Sequence, residues 1–397
     1  CLDLNYQETS EKLHEILLSS TEFHMRADVD VGVCLSGGLD SSILLSTINN
    51  KYNKIDKLTC LSVEFENELS ERKWIDSTTK QYGFKSEILK FSVKDFLNKI
   101  KPMIWSQEAP IGGLMTCAMS LIFKRCNELG IRVMQDGTGL DEAFGGYKQH
   151  HNIFLRQLEK QNPTLFSKAL KEYCLNWNVD INQVSKEFKS DIDFGKVALD
   201  GTIPYQHNLL SFDVLNKNKD DFFSNCQENS LLESLIESIT KYKIPRNTRM
   251  KDKLSMSYSV ELRLPFLDHR IVEFGLSLPS NFMFKYGWSK SILRNSFQGY
   301  LSDDVRLAPK RSIQAPQGKW LSEPIFKEYI CDILNSQFFK NLGFFNVNEC
   351  KKAYERHIDK PEINSAFIWQ WINCFEWFET FNNRKVLNNN LTIKNLN

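Results

Sequence analysis

The 397-residue sequence has no CxxC pair and no histidine cluster near any of its ten cysteines. That spacing argues against a zinc framework or a disulfide scaffold. Cysteines such as Cys34 and Cys60, set inside apolar strands, read as small buried hydrophobes in a reducing compartment, and the expected location is cytoplasmic. No apolar run reaches the length of a membrane span, and no charged-then-apolar stretch opens the chain. Its 50 lysines and arginines balance 49 acidic residues and are scattered, so neither nucleic acid nor a charged membrane surface is indicated as a partner. Internal repeats and low-complexity segments are lacking as well. What is left is the composition of a globular chain, long enough for one large or two moderate domains.

From residue 29 to about 150 apolar runs alternate with helical patterns: Val29–Leu35, a helix from Ser41, Leu58–Phe65, a helix from Glu71, Ser86–Phe91, a helix near Met115–Leu129, and Arg132–Met134. This alternation predicts an α/β fold, a doubly wound parallel sheet with helices on both faces, joined to a largely helical C-terminal part. Ligands on such sheets sit at the carboxyl ends of strands. Ser36-Gly37-Gly38-Leu39-Asp40-Ser41-Ser42 lies directly after the first strand. Its glycines allow close backbone approach to an anion. The hydroxyls of Ser36, Ser41 and Ser42 are candidate donors to phosphate oxygens, at the start of a helix whose N-terminus favours negative charge. Asp40 would repel phosphate unless a cation lay between them, so the loop predicts bound Mg²⁺. It lacks the Gly-Lys-Ser/Thr ending of loops that support transfer of a terminal phosphate. It is similar instead to the SGGxDS loop of enzymes that split ATP to AMP and pyrophosphate.

Four further segments are candidates for chemistry. Asp136-Gly137-Thr138-Gly139-Leu140-Asp141-Glu142 follows another strand and should face the same crevice, with Asp141 placed to share a metal with Asp40. Met250–Asp268 embeds charges among apolar residues, as a crevice wall held by salt bridges or a substrate contact would. Lys290 and Arg294 lie one helical turn apart and present two cations, either to phosphate or to solvent. Lys310, in the loop before Pro316, is able to reach back over the nucleotide and stabilise growing negative charge. The aromatic run Phe367–Phe378 has helical spacing and is expected to pack a core rather than form a ligand box.

In order and over nearly the whole chain, these segments resemble the synthetase domain of the asparagine synthetase family. That family carries in sequence an SGGLDS loop, a GEGxDExFGGY segment, an SM…ExRxPFLD segment, an SKxxLR segment and a lysine-to-WL segment. Here they are matched by Ser36–Ser41, Gly137–Tyr147, Ser255–Asp268, Ser289–Arg294 and Lys310–Leu321. Glu108-Ala109-Pro110 is similar to the family's acidic-proline turn, with one extra alanine. The resemblance implies ATP and Mg²⁺ as cofactors. A substrate carboxylate attacks the α-phosphate, pyrophosphate leaves through the loop, and an amine displaces AMP to give an amide. Carried over, Ser36, Gly37, Gly38, Asp40 and Ser41 hold pyrophosphate, while Leu35, Val63 and Gly137 lie along adenosine. Asp40 and Asp141 bind the metal and Lys310 stabilises the transition states; Ser42, Asp136 and Lys290 complete the expected nucleotide contacts. The implied partners are a small carboxylate, aspartate by default, and a glutaminase domain or subunit supplying ammonia, with a homodimer left open.

The resemblance divides the chain into residues 1–28, a helix leading from an upstream glutaminase domain; 29–150, the ATP pyrophosphatase core; 151–240, a helical insertion; 241–385, the helical remainder; and 386–397, a flexible tail. Cys1, followed by a helix rather than a glycine and strand, is not expected to be a glutaminase nucleophile. Three departures bear on the substrate. Thr138 stands where the family has a glutamate linked to the ammonia nucleophile, and threonine is no general base. Ala308 replaces an arginine, and Ser312-Ile313 replace Gly-Phe. Asp136 or Glu142 is then the candidate proton acceptor. Two other readings stand beside the default: the same chemistry on a sugar uronic acid or in ring closure as in β-lactam synthetases, and a catalytically silent scaffold.

Overall fold

The computed structural model describes residues 4–52, 58–66, 70–177, 179–182, 184–185, 206–217, 230–310, 316–361 and 364–382. Cys1, the Ser312-Ile313 replacement, the tail and much of the expected insertion lie outside the described residues.

Five strands, β1 (Val31–Cys34), β2 (Thr59–Phe65), β3 (Lys85–Phe91), β4 (Val133–Gln135) and β5 (Glu261–Arg263), form one sheet in the order β3-β2-β1-β4-β5. Every neighbouring pair is parallel. The chain moves outward from β1 through β2 to β3, then returns to place β4 on the other side of β1. The crevice therefore opens between the carboxyl ends of β1 and β4, where the strand order reverses. The alternating pattern carried the four strands expected from sequence, with ends shifted by at most two residues. β5 comes from the segment read as helical remainder. At three residues, between Ser259 with its positive φ of 56° and Pro265, it is too short for any periodicity to register.

The expected helices on both faces are present. On one face pack α1 (Tyr6–His24), α2 (Leu39–Tyr52) and α3 (Arg72–Tyr82), around Leu13, Leu17, Ile43 and Leu44. On the other pack α4 (Val93–Gln107) and α5 (Leu114–Glu128), with the helix Ala366–Asn382, around Phe96, Phe123, Trp320 and Trp371. Burial rather than ligand binding explains the aromatic run of that last helix. Trp371 is fully buried, Trp369 lies 5.2 Å from the Phe96 ring, and its indole Nε1 donates to the Ile111 carbonyl at 2.9 Å. α1 starts with a capping box between Asn5 and Glu8. It packs on α2 and on the helix Ser291–Ser296, where Ser10 and Ser296 hydroxyls meet at 3.0 Å.

Candidate functional site

α2 begins at Leu39, two residues earlier than the sequence pattern suggests, so Asp40, Ser41 and Ser42 all fall in its first turn. The loop before it is closed by its own hydroxyls. Ser41 Oγ donates to the Ser36 carbonyl at 2.9 Å and accepts from the Ser36 amide at 3.1 Å, while Ser36 and Ser41 hydroxyls lie 3.0 Å apart. Ser36, Asp40 and Ser41 line a cavity of about 290 Å³ at the carboxyl edge of the sheet. Ser42 does not: it is fully buried, donates to the Gly38 carbonyl at 2.9 Å and faces Thr78. The structure thus places Ser42 off the cavity, where its hydroxyl closes the turn onto the Gly38 carbonyl beside Thr78. Gly37 has a packing reason to be glycine. A Cβ there would come within 2.9 Å of the Glu71 Cβ on the neighbouring helix start.

The other motifs converge on the same cavity. Gly137, Thr138, Gly139, Asp141 and Glu142 border it, as do Leu35, Val63, Cys34, Met115, Met119 and Ile122, which make one end apolar enough for a flat base. At the opposite end Lys290 Nζ lies 2.6 Å from both Asp40 and Asp141, and Lys310 Nζ lies 2.6 Å from Asp141. Lys290, in a left-handed conformation and 5% exposed, is thus not a solvated cation but joins the two carboxylates. Gly146 makes this junction sterically possible, since a Cβ would fall 1.8 Å from Asp141 Oδ1 and 2.3 Å from Lys290 Cε. Burial raises the pKa of Asp40, with Asp141 adding to the effect against the pull of Lys290. Burial also works against the charge of Asp141, but Lys290 and Lys310 prevail and hold its pKa far below the ordinary carboxylate range.

Arg294 does not share the face of Lys290. It is buried, with its guanidinium 4.8 Å above the Trp288 ring, and donates to the carbonyls of Ser289 at 3.0 Å, Ala308 at 3.1 Å and Arg306. It therefore fixes the segment that delivers Lys310. That ammonium rests 4.3 Å from the Tyr147 ring centre, and the Tyr147 hydroxyl donates to Glu142 Oε1 at 2.6 Å.

Around Thr138 the structure adds a residue not singled out from sequence. Lys251 Nζ donates to both Asp136 oxygens at 2.9 and 2.8 Å and to Thr138 Oγ1 at 2.6 Å. Although burial would raise the Asp136 pKa, Lys251 and the two donors from Thr138 lower it. Asp136 is thus held as a carboxylate by the Lys251 ammonium and the Thr138 donors. Glu142 differs: burial, then the neighbouring Asp141, raises its pKa despite the Tyr147 hydrogen bond. Lys253, in the quoted segment, turns away from the cavity to pair with Glu108 at the acidic-proline turn. Only the register of the helix Lys243–Met256 against the sheet separates Lys251 from Lys253, and sequence does not carry that register.

Asp40 and Asp141 fit a hard divalent cation in spacing and chemistry, since a single ammonium already touches both. Among the described residues no group of three or more His, Cys, Asp or Glu is placed to hold a metal. Two carboxylates suit Mg²⁺, which commonly takes its other ligands from water and phosphate.

The fold and this site define a class: a doubly wound parallel sheet with an SGGxDS loop and paired acidic residues at its switch point. Residues 12–379 match the asparagine synthase family model, and the chain belongs to that family. It is 22% identical over 382 residues to asparagine synthetase [glutamine-hydrolyzing] 1 of Bacillus subtilis, an alignment covering 92% of this chain and 58% of that protein. Similarity extends to the amidase chyE of Penicillium rubens, 22% identical over 90% of this chain and 59% of the relative, and to the amidase chry2 of Gibberella zeae, 23% identical over 89% and 59%. The chain thus spans somewhat under three fifths of the length of these relatives.

Proposed function

We propose that this chain is an ATP-dependent amide ligase that adenylates a substrate carboxylate and passes the acyl group to an amine. The observation that carries the reading is the junction of Asp40, Asp141, Lys290 and Lys310 beside the Ser36–Ser41 loop, at the switch point of the sheet. ATP would lie with its base against Leu35, Val63 and Met115 and its β- and γ-phosphates at the loop. Mg²⁺ held by Asp40 and Asp141 would neutralise the polyphosphate and polarise the α-phosphate for attack. Lys290, freed from the carboxylates, then contacts the departing pyrophosphate. Lys310 reaches the charge that develops first on the α-phosphorus and then on the tetrahedral carbon. Glu142 is the better placed of the two candidate carboxylates to take a proton from the amine.

Aspartate is the default acid and ammonia from a glutaminase the default nucleophile, as in the asparagine synthetase relatives. The Thr138–Asp136–Lys251 cluster favours a second reading, the same chemistry on another carboxylate such as a sugar uronic acid or within one molecule. ATP–pyrophosphate exchange dependent on each candidate acid decides. Exchange with aspartate supports the first reading, exchange with another acid alone supports the second, and none across a broad panel indicates a silent scaffold.

A further inference from the structure

One carboxylate at the phosphate end of the cavity has no part in the scheme above. Glu71, the residue before α3, lines the cavity with Ser36, Asp40 and Ser41, and makes no side-chain cap to its own helix. Its Oε2 accepts instead from the amide of Gly37 at 2.9 Å, across 34 residues of sequence. The start of α3 is pressed against the loop, for the hypothetical Gly37 Cβ would also meet the Glu71 carbonyl and the Trp74 Cβ, each at 3.2 Å. α3 is itself tied down: Trp74 Nε1 donates to the Asp304 carbonyl at 3.2 Å, and Ser77 Oγ lies 3.2 Å from the Ser302 hydroxyl. Any change at this contact falls to the Glu71 side chain rather than to the helix.

We propose that Glu71 is a positioning residue for pyrophosphate, an internal carboxylate that competes with the leaving group for the Gly37 amide. This rests on the adenylation reading. An amide held by a carboxylate is a charge-assisted hydrogen bond, and the same N–H in an anion-binding loop is the natural donor to a phosphate oxygen. Polyphosphate must displace the carboxylate to take that proton, and the two anions repel each other at close range. Glu71 thereby weakens the hold on pyrophosphate and speeds its departure once the acyl-adenylate has formed. No bond is made or broken by it; its return to the amide accompanies release.

The test is direct titration of the full chain with sodium pyrophosphate at fixed Mg²⁺ by calorimetry, in the native sequence and in Glu71→Gln and Glu71→Ala. A competitor worth one charge-assisted hydrogen bond predicts pyrophosphate binding roughly ten- to a hundredfold tighter in both variants. It also predicts inhibition by added pyrophosphate at correspondingly lower concentration. A residue that merely shaped the loop would loosen binding when removed, so the direction of the change separates the roles. Unchanged or weaker binding in Glu71→Gln, folded by circular dichroism, overturns the proposal while leaving adenylation standing. A native chain that binds neither ATP nor pyrophosphate overturns both.

Discussion

Lys310 is the single side chain on which the proposed chemistry leans most, and its surroundings make its replacement informative. Its ammonium is held between Asp141 and the face of Tyr147, while the backbone leading to it is tethered by Arg294 through the Arg306 and Ala308 carbonyls. Lys290 still bridges the two carboxylates when Lys310 is removed. Lys310→Ala is therefore expected to cut amide formation by roughly 10²- to 10³-fold, the loss of a group that stabilises transition-state charge, while ATP binding measured by fluorescence or calorimetry stays within a few fold. Unchanged turnover would take Lys310 out of the mechanism.

At the level of the element, the helix Lys148–Gln161 carries a feature that links packing to acidity. His150 and His151 are buried at its start, His151 with ring centres 4.5 Å from Tyr173 and 5.0 Å from Phe284. Burial pushes both imidazoles down to about 3 from the ordinary 6.5. Between those values the unfolded chain binds protons that the folded chain refuses, so stability is fully present above pH 6.5 and declines as pH falls toward 3. Urea unfolding at a series of pH values is expected to show a shallower acid decline for His151→Phe than for the native chain, by on the order of a few kcal/mol across the window. Identical slopes would assign the acid sensitivity to other groups. The elements also show where sequence is legible. The loop after β1 and the glycine-rich turn after β4 were readable because composition alone marks a turn that follows an apolar strand. Their meeting followed from the rule for strand order. β5 was not readable at three residues, nor was Lys251 against Lys253, nor the turn of Ser42 into the core, because each depends on a register or a helix start that only packing sets. Glu71 carried no signal beyond being an acidic residue before a helix.

Across the whole molecule the site is a convergence of distant pieces: two loops from the sheet, Lys290 and Lys310 from beyond residue 280, and α1 bracing the helix Ser291–Ser296 through Ser10 and Tyr6. A ligand spanning these pieces stabilises the fold by mass action, about 2.7 kcal/mol at a hundred times its dissociation constant. Saturating Mg-ATP is accordingly expected to raise the melting temperature by a few degrees, and excess EDTA to reverse most of the rise with ATP still present; a shift indifferent to EDTA would count against a metal between Asp40 and Asp141. The same convergence has a consequence for biosynthesis. Chains are made from the N-terminus, and the four strands β1 to β4 are all complete by Gln135. Once β4 has been made the chain has Asp40 but not Asp141, and once residue 250 has been made it has both acids but neither lysine. Until Lys290 and Lys310 follow, the two carboxylates lack their counter-ions, so this part of the sheet is the least able to close early, and the candidate site is completed only when the segment that carries both lysines arrives.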